Sequence, residues 1–380
     1  MFRLVRVLVT VSLATFGPAL ARAQEPAPAP TPAASPTPPP PEPVAQTPAG
    51  GSLPFSGPAA SKVFNPDIAV IGDFLGAAGK SPGGGEPSLE MHEVEVSFQA
   101  VVDPYARADF FLAASPEGVE IEEAYITFPT LPGGFLMKAG KLRAAFGKVN
   151  TLHNHTLPWT DRPLMTQNLV GGEEGLGDSG ISLSRLFPNR HVFLEATGEV
   201  YRGQNEVFRG EDRGDLAYLG RLRAYRDLTE SSNLDVGGSF AAGKSGEGPG
   251  LTRRLIGVDV TFRYRPLRRA IYRRLLARTE LVWSRLEEQD HRHDSFGMYA
   301  SAEYQFARRW FTGVRYDRSE EADEPRGFDQ GYSLTLTYWP SEFSQIRSQF
   351  RRTAPAVGEA RNEVLFQLLF SIGAHGAHVF

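Results

Sequence analysis

The chain has 380 residues, 40 of them Lys or Arg and 44 Asp or Glu, for a formal net charge of -4. That balance excludes a global pull toward nucleic acid or anionic lipid. With no cysteine, a disulfide framework and a thiolate metal site are excluded too.

The first segment is "MFRLVRVLVTVSLATFGPALARAQ". Arg3 and Arg6 make a positive start, Leu8 to Leu20 an apolar core, and Ala21-Arg22-Ala23 a small-residue cleavage site. Those are the three parts of an export signal, so residues 1–23 are expected to be removed. Residues 24–62 are Pro/Ala/Thr low complexity, which favours extended polyproline conformations and reads as a disordered, semi-rigid periplasmic linker. No later segment holds the roughly 18 apolar residues of a membrane helix. If the exported chain spans a membrane, strands must do it.

Residues 63–380 supply those strands. "HEVEVSFQAVV" sets Val94, Val96, Phe98, Ala100 and Val102 against Glu93, Glu95, Ser97 and Gln99. "LIGVDVTFRYR" and "FGMYASAEYQF" repeat the alternation, and "DQGYSLTLTYWP" opposes Tyr332, Leu334, Leu336 and Tyr338 to Ser333, Thr335 and Thr337. In "NEVLFQLLFSI" the pattern holds apart from Leu365 and Leu369. A period of two puts the apolar residues on one face of each strand. About sixteen such segments start near Asp67, Met91, Pro104, Val119, Phe135, Asp178, His191, Asp215, Asn233, Leu251, Arg274, Asp294, Arg309, Phe328, Phe343 and Arg361. Fourteen to eighteen strands bracket the count. Tight links alternate with longer polar loops, a rhythm that a soluble sandwich has no reason to show. The fold class expected is all-β: a transmembrane antiparallel barrel with short periplasmic turns, longer external loops and both termini periplasmic. The aromatics Tyr332, Tyr338 and Trp339 are expected near two interfacial girdles.

Phe380 ends the chain on the parity of Phe366 and Phe370, which resembles the assembly signal of bacterial outer-membrane proteins. The stretches "VVDPYARADFFLA", "EIEEAYITF" and "KLRAAFGKVN" make residues 64–380 similar to the phosphate-selective-porin-like group. The resemblance implies an outer-membrane porin of a Gram-negative-type cell, passing small hydrophilic or ionic solutes down their gradients and not acting as an enzyme. It implies lipid, lipopolysaccharide, the barrel assembly machinery and small solutes as partners, with a homotrimer admitted and no nucleic acid. A plugged barrel that binds a substrate or metal without conducting is the alternative, and an outer-membrane enzyme is a second.

On the parity opposite to lipid, Arg107, Arg221, Arg223, Arg263, Arg278, Arg315, Arg347 and Arg351 are candidate pore-lining bases. Glu93, Glu95, Glu123, Asp259, Glu280 and Glu303 are the matching acids. Charged rings in a channel set ion preference, and the arginine excess in the later strands points to a mild anion preference. The competing expectation is that these charges pair and merely hydrate the wall. The stretch from Arg143 to Gly177 is too long to be idle in a compact barrel. It resembles the inward-folded constriction loop of porins, with Trp159, Asp161, Arg162, Glu173 and Glu174 as candidates for the narrowing; a plain surface loop is the rival.

Two motifs carry little weight. "GSFAAGKS" matches a phosphate loop, but Leu234, Val236, Gly238, Phe240 and Ala242 run a strand through it, and "GEGPG" follows where a helix is required. "GDSG" echoes a protease nucleophile without flanking sequence for the base. His153-x-His155 and His291-x-His293 fall in two predicted external loops, and neutral imidazoles beside Asp290 and Asp294 are candidate ligands for zinc or another divalent ion. No other cofactor is expected.

Overall fold

The computed structural model describes residues 66–79, 88–246, 251–287, 291–323 and 326–373. The expected export signal (residues 1–23) and linker (24–62), and Phe380, lie outside the described residues. Sixteen strands follow in chain order: β1 (Asp67–Gly79), β2 (Leu89–Asp103), β3 (Ala106–Ser115), β4 (Gly118–Leu131), β5 (Phe135–Arg143), β6 (Gly177–Phe187), β7 (Phe193–Tyr201) and β8 (Ala217–Thr229). The second half holds β9 (Ser232–Lys244), β10 (Thr252–Tyr264), β11 (Arg274–Glu287), β12 (Arg292–Ala307), β13 (Trp310–Ser319), β14 (Asp329–Ser341), β15 (Ser344–Ala354) and β16 (Arg361–Gly373). Every strand starts within two residues of its predicted position. Each pairs antiparallel with its chain neighbours, and β1 pairs with β16 over Ala69–Gly79, closing a barrel with no free edge.

The barrel is inverted relative to a soluble one. On β14, Tyr332, Leu334 and Leu336 are 49%, 54% and 45% exposed, whereas Ser333, Thr335 and Thr337 are 6%, 2% and 2% exposed. Among the described residues no second sheet covers the apolar face, so the strands form no sandwich, and the surface is that of a lipid-embedded barrel. Outward aromatic pairs meet at two levels: Trp310 stacks on Tyr338 near one rim, and Trp283 with Phe296 and Tyr316 with Tyr332 form tilted pairs toward the other. Trp339 departs from its predicted place in a girdle. One residue after an outward Tyr338, it lines an inner cavity instead.

With an even strand count both chain ends leave at one rim. That rim carries the short turns, such as Pro104–Tyr105 and Arg308–Arg309. The long connections share the opposite rim. The longest, residues 144–176, turns into the barrel. It contains two single 3-10 turns (Val149–Thr151 and Asn154–Thr156) and one short helix, α1 (Leu164–Leu169). Ala144, Phe146, Val149, Leu157, Trp159, Met165 and Leu169 are at most 2% exposed, which places an apolar core inside the lumen. Val207 and Phe208, from the β7–β8 connection, join it.

The wall is shaped to receive this core. A Cβ on Gly257 would meet the Phe146 ring at 2.9 Å. One on Gly297 would meet Leu169 at 2.9 Å and Met165 at 3.0 Å, and one on Gly243 would meet Phe208 at 2.7 Å. Inward glycines on β9, β10 and β12 therefore act as sockets for loop side chains, a close approach that any larger residue would block.

Candidate functional site: the lumenal loop and its wall

A loop of irregular backbone inside a barrel has N–H and C=O groups that must find partners. Part of the answer lies within the loop. Asn150 donates through Nδ2 to the carbonyls of Ala144 and Leu176, both at 2.8 Å, and its Oδ1 accepts from Leu176 N–H at 2.7 Å, tying the two ends together. Arg162, 2% exposed, donates to Asn154 Oδ1 at 2.9 Å and to the carbonyls of Leu152 at 2.8 Å, Val149 at 3.3 Å and Glu173. It is an internal staple.

The wall supplies the rest. Ala145 N–H donates to Glu199 on β7 at 2.9 Å and Gly147 N–H to Ser239 on β9 at 3.1 Å. Glu280 on β11 accepts from Lys148 and Val149 N–H at 3.0 and 2.8 Å, and from the Tyr299 hydroxyl at 2.9 Å. Thr160 N–H donates to Gln349 on β15 at 3.0 Å, and Arg347 donates to the Trp159 carbonyl at 3.0 Å. Asp161 meets Arg315 on β13 at 2.8 Å and Arg351 on β15 at 3.2 Å. Burial works against its charge, but the two guanidiniums win and hold its carboxyl down at about 2. Trp159 lies between Arg315, 4.9 Å above its ring, and Tyr299, edge-on at 5.4 Å.

Gly147 is the tightest point. Its φ is +63°, in the left-handed region, and a Cβ there would lie 2.2 Å from Glu280 Oε2. Gly147→Ala is expected to cost about 1–3 kcal/mol in strain alone and to lift the loop from β11. Limited proteolysis of the folded barrel would show this as new cleavage between residues 148 and 170; protection equal to wild type would refute it.

On the other side of the lumen the loop meets carboxylates. The β3–β4 register shifts between Phe111 and Leu112, so Phe111 pairs with Glu123 and Leu112 with Ile121. Glu122 is the extra residue of a bulge, which lets two consecutive carboxylates face inward. His153 Nδ1 lies 2.9 Å from Glu95 and 2.8 Å from Glu122, and its Nε2 lies 2.9 Å from Glu123. Burial opposes charge on this imidazole, yet its bonds to Glu122, Glu123 and Glu95 outweigh that and raise it well above the usual histidine range. His155 lies beside it, with Nδ1 3.3 Å from Glu95.

Open space flanks the loop on both sides. Toward the short-turn rim lie cavities of about 390 and 420 Å³, which share Ile71, Thr151, His153, His155 and Thr156 in their walls. Toward the long-loop rim lies one of about 510 Å³, bordered by Asp73, Glu93, Glu122, Asp161, Arg162 and Glu174. Leu157 borders both the first and the last, facing the β16–β1 wall. Leu365 and Leu369, the two breaks in the β16 alternation, are inward residues of that wall.

The predicted pore-lining charges divide into three groups. Glu95, Glu123, Glu280, Arg315, Arg347 and Arg351 hold the loop, as described. Arg221 pairs with Asp259 at 2.8 Å, Arg223 with Asp235 at 2.7 Å, and Arg107 with Asp109 at 2.8 Å, all wall to wall. Arg263, Arg278 and Glu303 line the 390 Å³ cavity, and Glu93 the 510 Å³ one. Among the loop candidates, Trp159, Asp161 and Arg162 are packed inside, while Glu173 and Glu174 are exposed at its outer edge. His291 and His293 stack on each other at 6.4 Å beside the β11–β12 connection and join no metal-ligating group among the described residues. Gly238–Lys244 is simply β9, and Gly177–Gly180 the start of β6. No sequence pattern marks Glu122, Asn150, Gly147 or Gln349 for these roles. A signal exists for the socket glycines of the wall, whose inward parity on otherwise well-patterned strands marks close approach.

No family model matches the chain. An uncharacterized protein of Aquifex aeolicus (strain VF5) is 30% identical to it, across 85% of this chain and 81% of that protein. Among solved structures, the anion-selective porin from Comamonas acidovorans is similar at TM-score 0.57 and 10% identity, covering 81% of this chain and 99% of that one. The loop L8 deletion mutant of OmpT, an outer membrane protein of Vibrio cholerae, is similar at TM-score 0.55 and 11% identity, over 81% and 99%. The outer membrane channel DcaP of Acinetobacter baumannii follows at TM-score 0.52 and 13% identity, over 81% and 96%. The barrel is thus the sixteen-stranded fold of outer-membrane porins. The expectation that the chain is not an enzyme needs correcting. It rested on the resemblance to porins, this barrel is shared with the OmpT structures as well as with porins, and fold alone excludes no activity. By its likeness along most of both sequences, the chain belongs to the same family as the Aquifex aeolicus protein.

Proposed function

We propose that the chain is an outer-membrane, porin-type channel through which small hydrophilic or ionic solutes pass passively. The observation that carries this reading is the pair of cavities on either side of the lumenal loop, both bordered by Leu157. In this reading the export signal is cleaved after Ala23, residues 24–62 tether the barrel, and the short turns and both termini face the periplasm. Lipid and lipopolysaccharide surround the apolar face, the assembly machinery reads Phe380, and the barrels associate as trimers. A trimer form is on record for one similar structure, OmpT of Vibrio cholerae.

A mild anion preference, as in a phosphate-selective-like porin, is supported by the short-turn cavity. Lys148, Arg263, Arg265, Arg274, Arg278 and Arg347 line it against Glu303 and Glu342. Burial and the neighbouring Arg278, Arg223 and Arg263 push Lys148 down to about 8, the mark of a positive enclosure that attracts anions. A plugged binding barrel is the second reading, favoured by the apolar core inside the lumen.

Single-channel recording in a planar bilayer under a salt gradient separates the two. Discrete steps with a reversal potential of anion sign support the proposed channel. Steps of cation sign keep the channel and remove the anion preference. Silence from folded, inserted protein transfers the assignment to the plugged barrel.

A further inference from the structure

The group around His153 has a chemistry that neither conduction nor loop anchoring requires. Donor atoms of Glu95, His153 and His155 all lie within 4.8 Å of one another, and the same holds for Glu93, Glu95 and Glu122. The residues come from three separate segments: β2, the bulge of β4 and the lumenal loop. Around them an orienting layer is already built. His153 Nε2 is bonded to Glu123 at 2.9 Å, and Glu123 in turn accepts from Arg143 N–H at 2.8 Å. The Arg143 guanidinium holds Glu122. A carboxylate on the far nitrogen of an imidazole fixes the ring and its tautomer, aims the near nitrogen's lone pair, and raises its basicity toward a metal. Here that near nitrogen, Nδ1, faces Glu95 and Glu122.

We propose that Glu95, His153 and His155, with Glu122 as a fourth donor, bind a divalent first-row transition ion of the zinc kind, and that Glu123 is the outer carboxylate that positions His153. Two imidazoles with carboxylates match the borderline preference of zinc and its neighbours. Magnesium and calcium prefer shells made of oxygen alone, whereas half of the four proposed ligands are imidazoles. Charge favours a divalent cation of any kind: four carboxylates, Glu93, Glu95, Glu122 and Glu123, converge beside Arg143, and the two imidazoles make the choice among cations. The ion has a route in, since His153 and His155 line both short-turn cavities. Two ligands belong to the loop and two to the wall, so a bound ion pins the loop to β2 and β4. The site does not depend on whether the lumen conducts.

The test is calorimetric titration of zinc chloride into the full mature chain, folded in detergent and carrying no histidine tag, with magnesium chloride run in parallel. One saturable zinc site per chain is expected, with magnesium giving none. Glu123→Gln should weaken zinc affinity roughly 10- to 100-fold, as loss of an outer-sphere carboxylate does. Glu95→Gln and His155→Asn should weaken it further, each checked for folding by heat-modifiable gel migration. The double variant His291→Asn/His293→Asn should bind as wild type. Absence of saturable zinc binding to the folded wild type would overturn the proposal. So would a site that survives both Glu95→Gln and His155→Asn, or one that disappears with His291 and His293.

Discussion

Cutting the lumenal loop back to a short turn between Ala144 and Leu176 is expected to leave the barrel folded and to raise single-channel conductance several-fold. The strands do not need the loop for their own hydrogen bonds, because every one is paired on both sides within the closed sheet. Nor would the wall charges be stranded. Arg315 keeps Asp317 at 2.7 Å, Arg351 keeps Glu363 at 2.9 Å, and Arg347 keeps Gln367 at 2.7 Å. Glu280 keeps the Tyr299 hydroxyl, and water entering the widened lumen replaces the loop amides. Charges in a hydrated lumen escape the desolvation cost that makes them expensive in a dry core. What changes is the cross-section, since the segment from Phe146 to Val170 fills the middle of the barrel. Conductance unchanged from wild type would mean that the loop is not the narrowing. A barrel that no longer folds would mean that the lumenal core is part of the folding nucleus, as it would be in a plugged barrel.

Much of this architecture could be read from residue types because it rests on one short-range rule. Period-two alternation assigns faces without any partner, and it places Leu334 outward and Thr335 inward from residue type alone. Loop length did similar service: the 33 residues between Arg143 and Gly177 exceed what a surface connection needs. What could not be read depends on register and on distance along the chain. Glu122 and Glu123 both face inward only because of a bulge opposite Phe111, and a bulge leaves no mark on the alternation. Glu280 resembles any other wall carboxylate until Lys148 and Val149, more than 130 residues away, present their amides to it. The wall charges were therefore expected to meet ions or one another, whereas many meet loop backbone. One general argument does recover this class of contact. A long loop with little secondary structure, buried in a lumen, must take its acceptors from the wall.

Arg315→Met is the point substitution with the largest expected effect on the loop. Arg315 is 1% exposed in its side chain, donates to Asp161 at 2.8 Å and Asp317 at 2.7 Å, and covers the Trp159 ring. Methionine restores much of the volume but none of the charge, so Asp317 loses its ion pair and Asp161 keeps only Arg351 among arginines. Removing one partner of a buried pair costs about 3–5 kcal/mol, because the other charge stays behind. The double variant Arg315→Met/Asp317→Asn should recover part of that loss. The pH dependence follows from Asp161, whose carboxyl is depressed from 3.8 to about 2. A depressed carboxylate stabilises the docked loop fully above its ordinary range, and that stabilisation is lost as pH falls through about 2. It is worth on the order of 2 kcal/mol. Pepsin digestion of the folded barrel at about pH 3, between those two limits, should leave the wild-type loop intact. In Arg315→Met the carboxyl moves back up, the loop detaches at that pH, and cleavage within residues 148–170 should follow. Equal protection of wild type and variant at that pH would show that packing of Trp159 and its neighbours holds the loop without help from the ion pair.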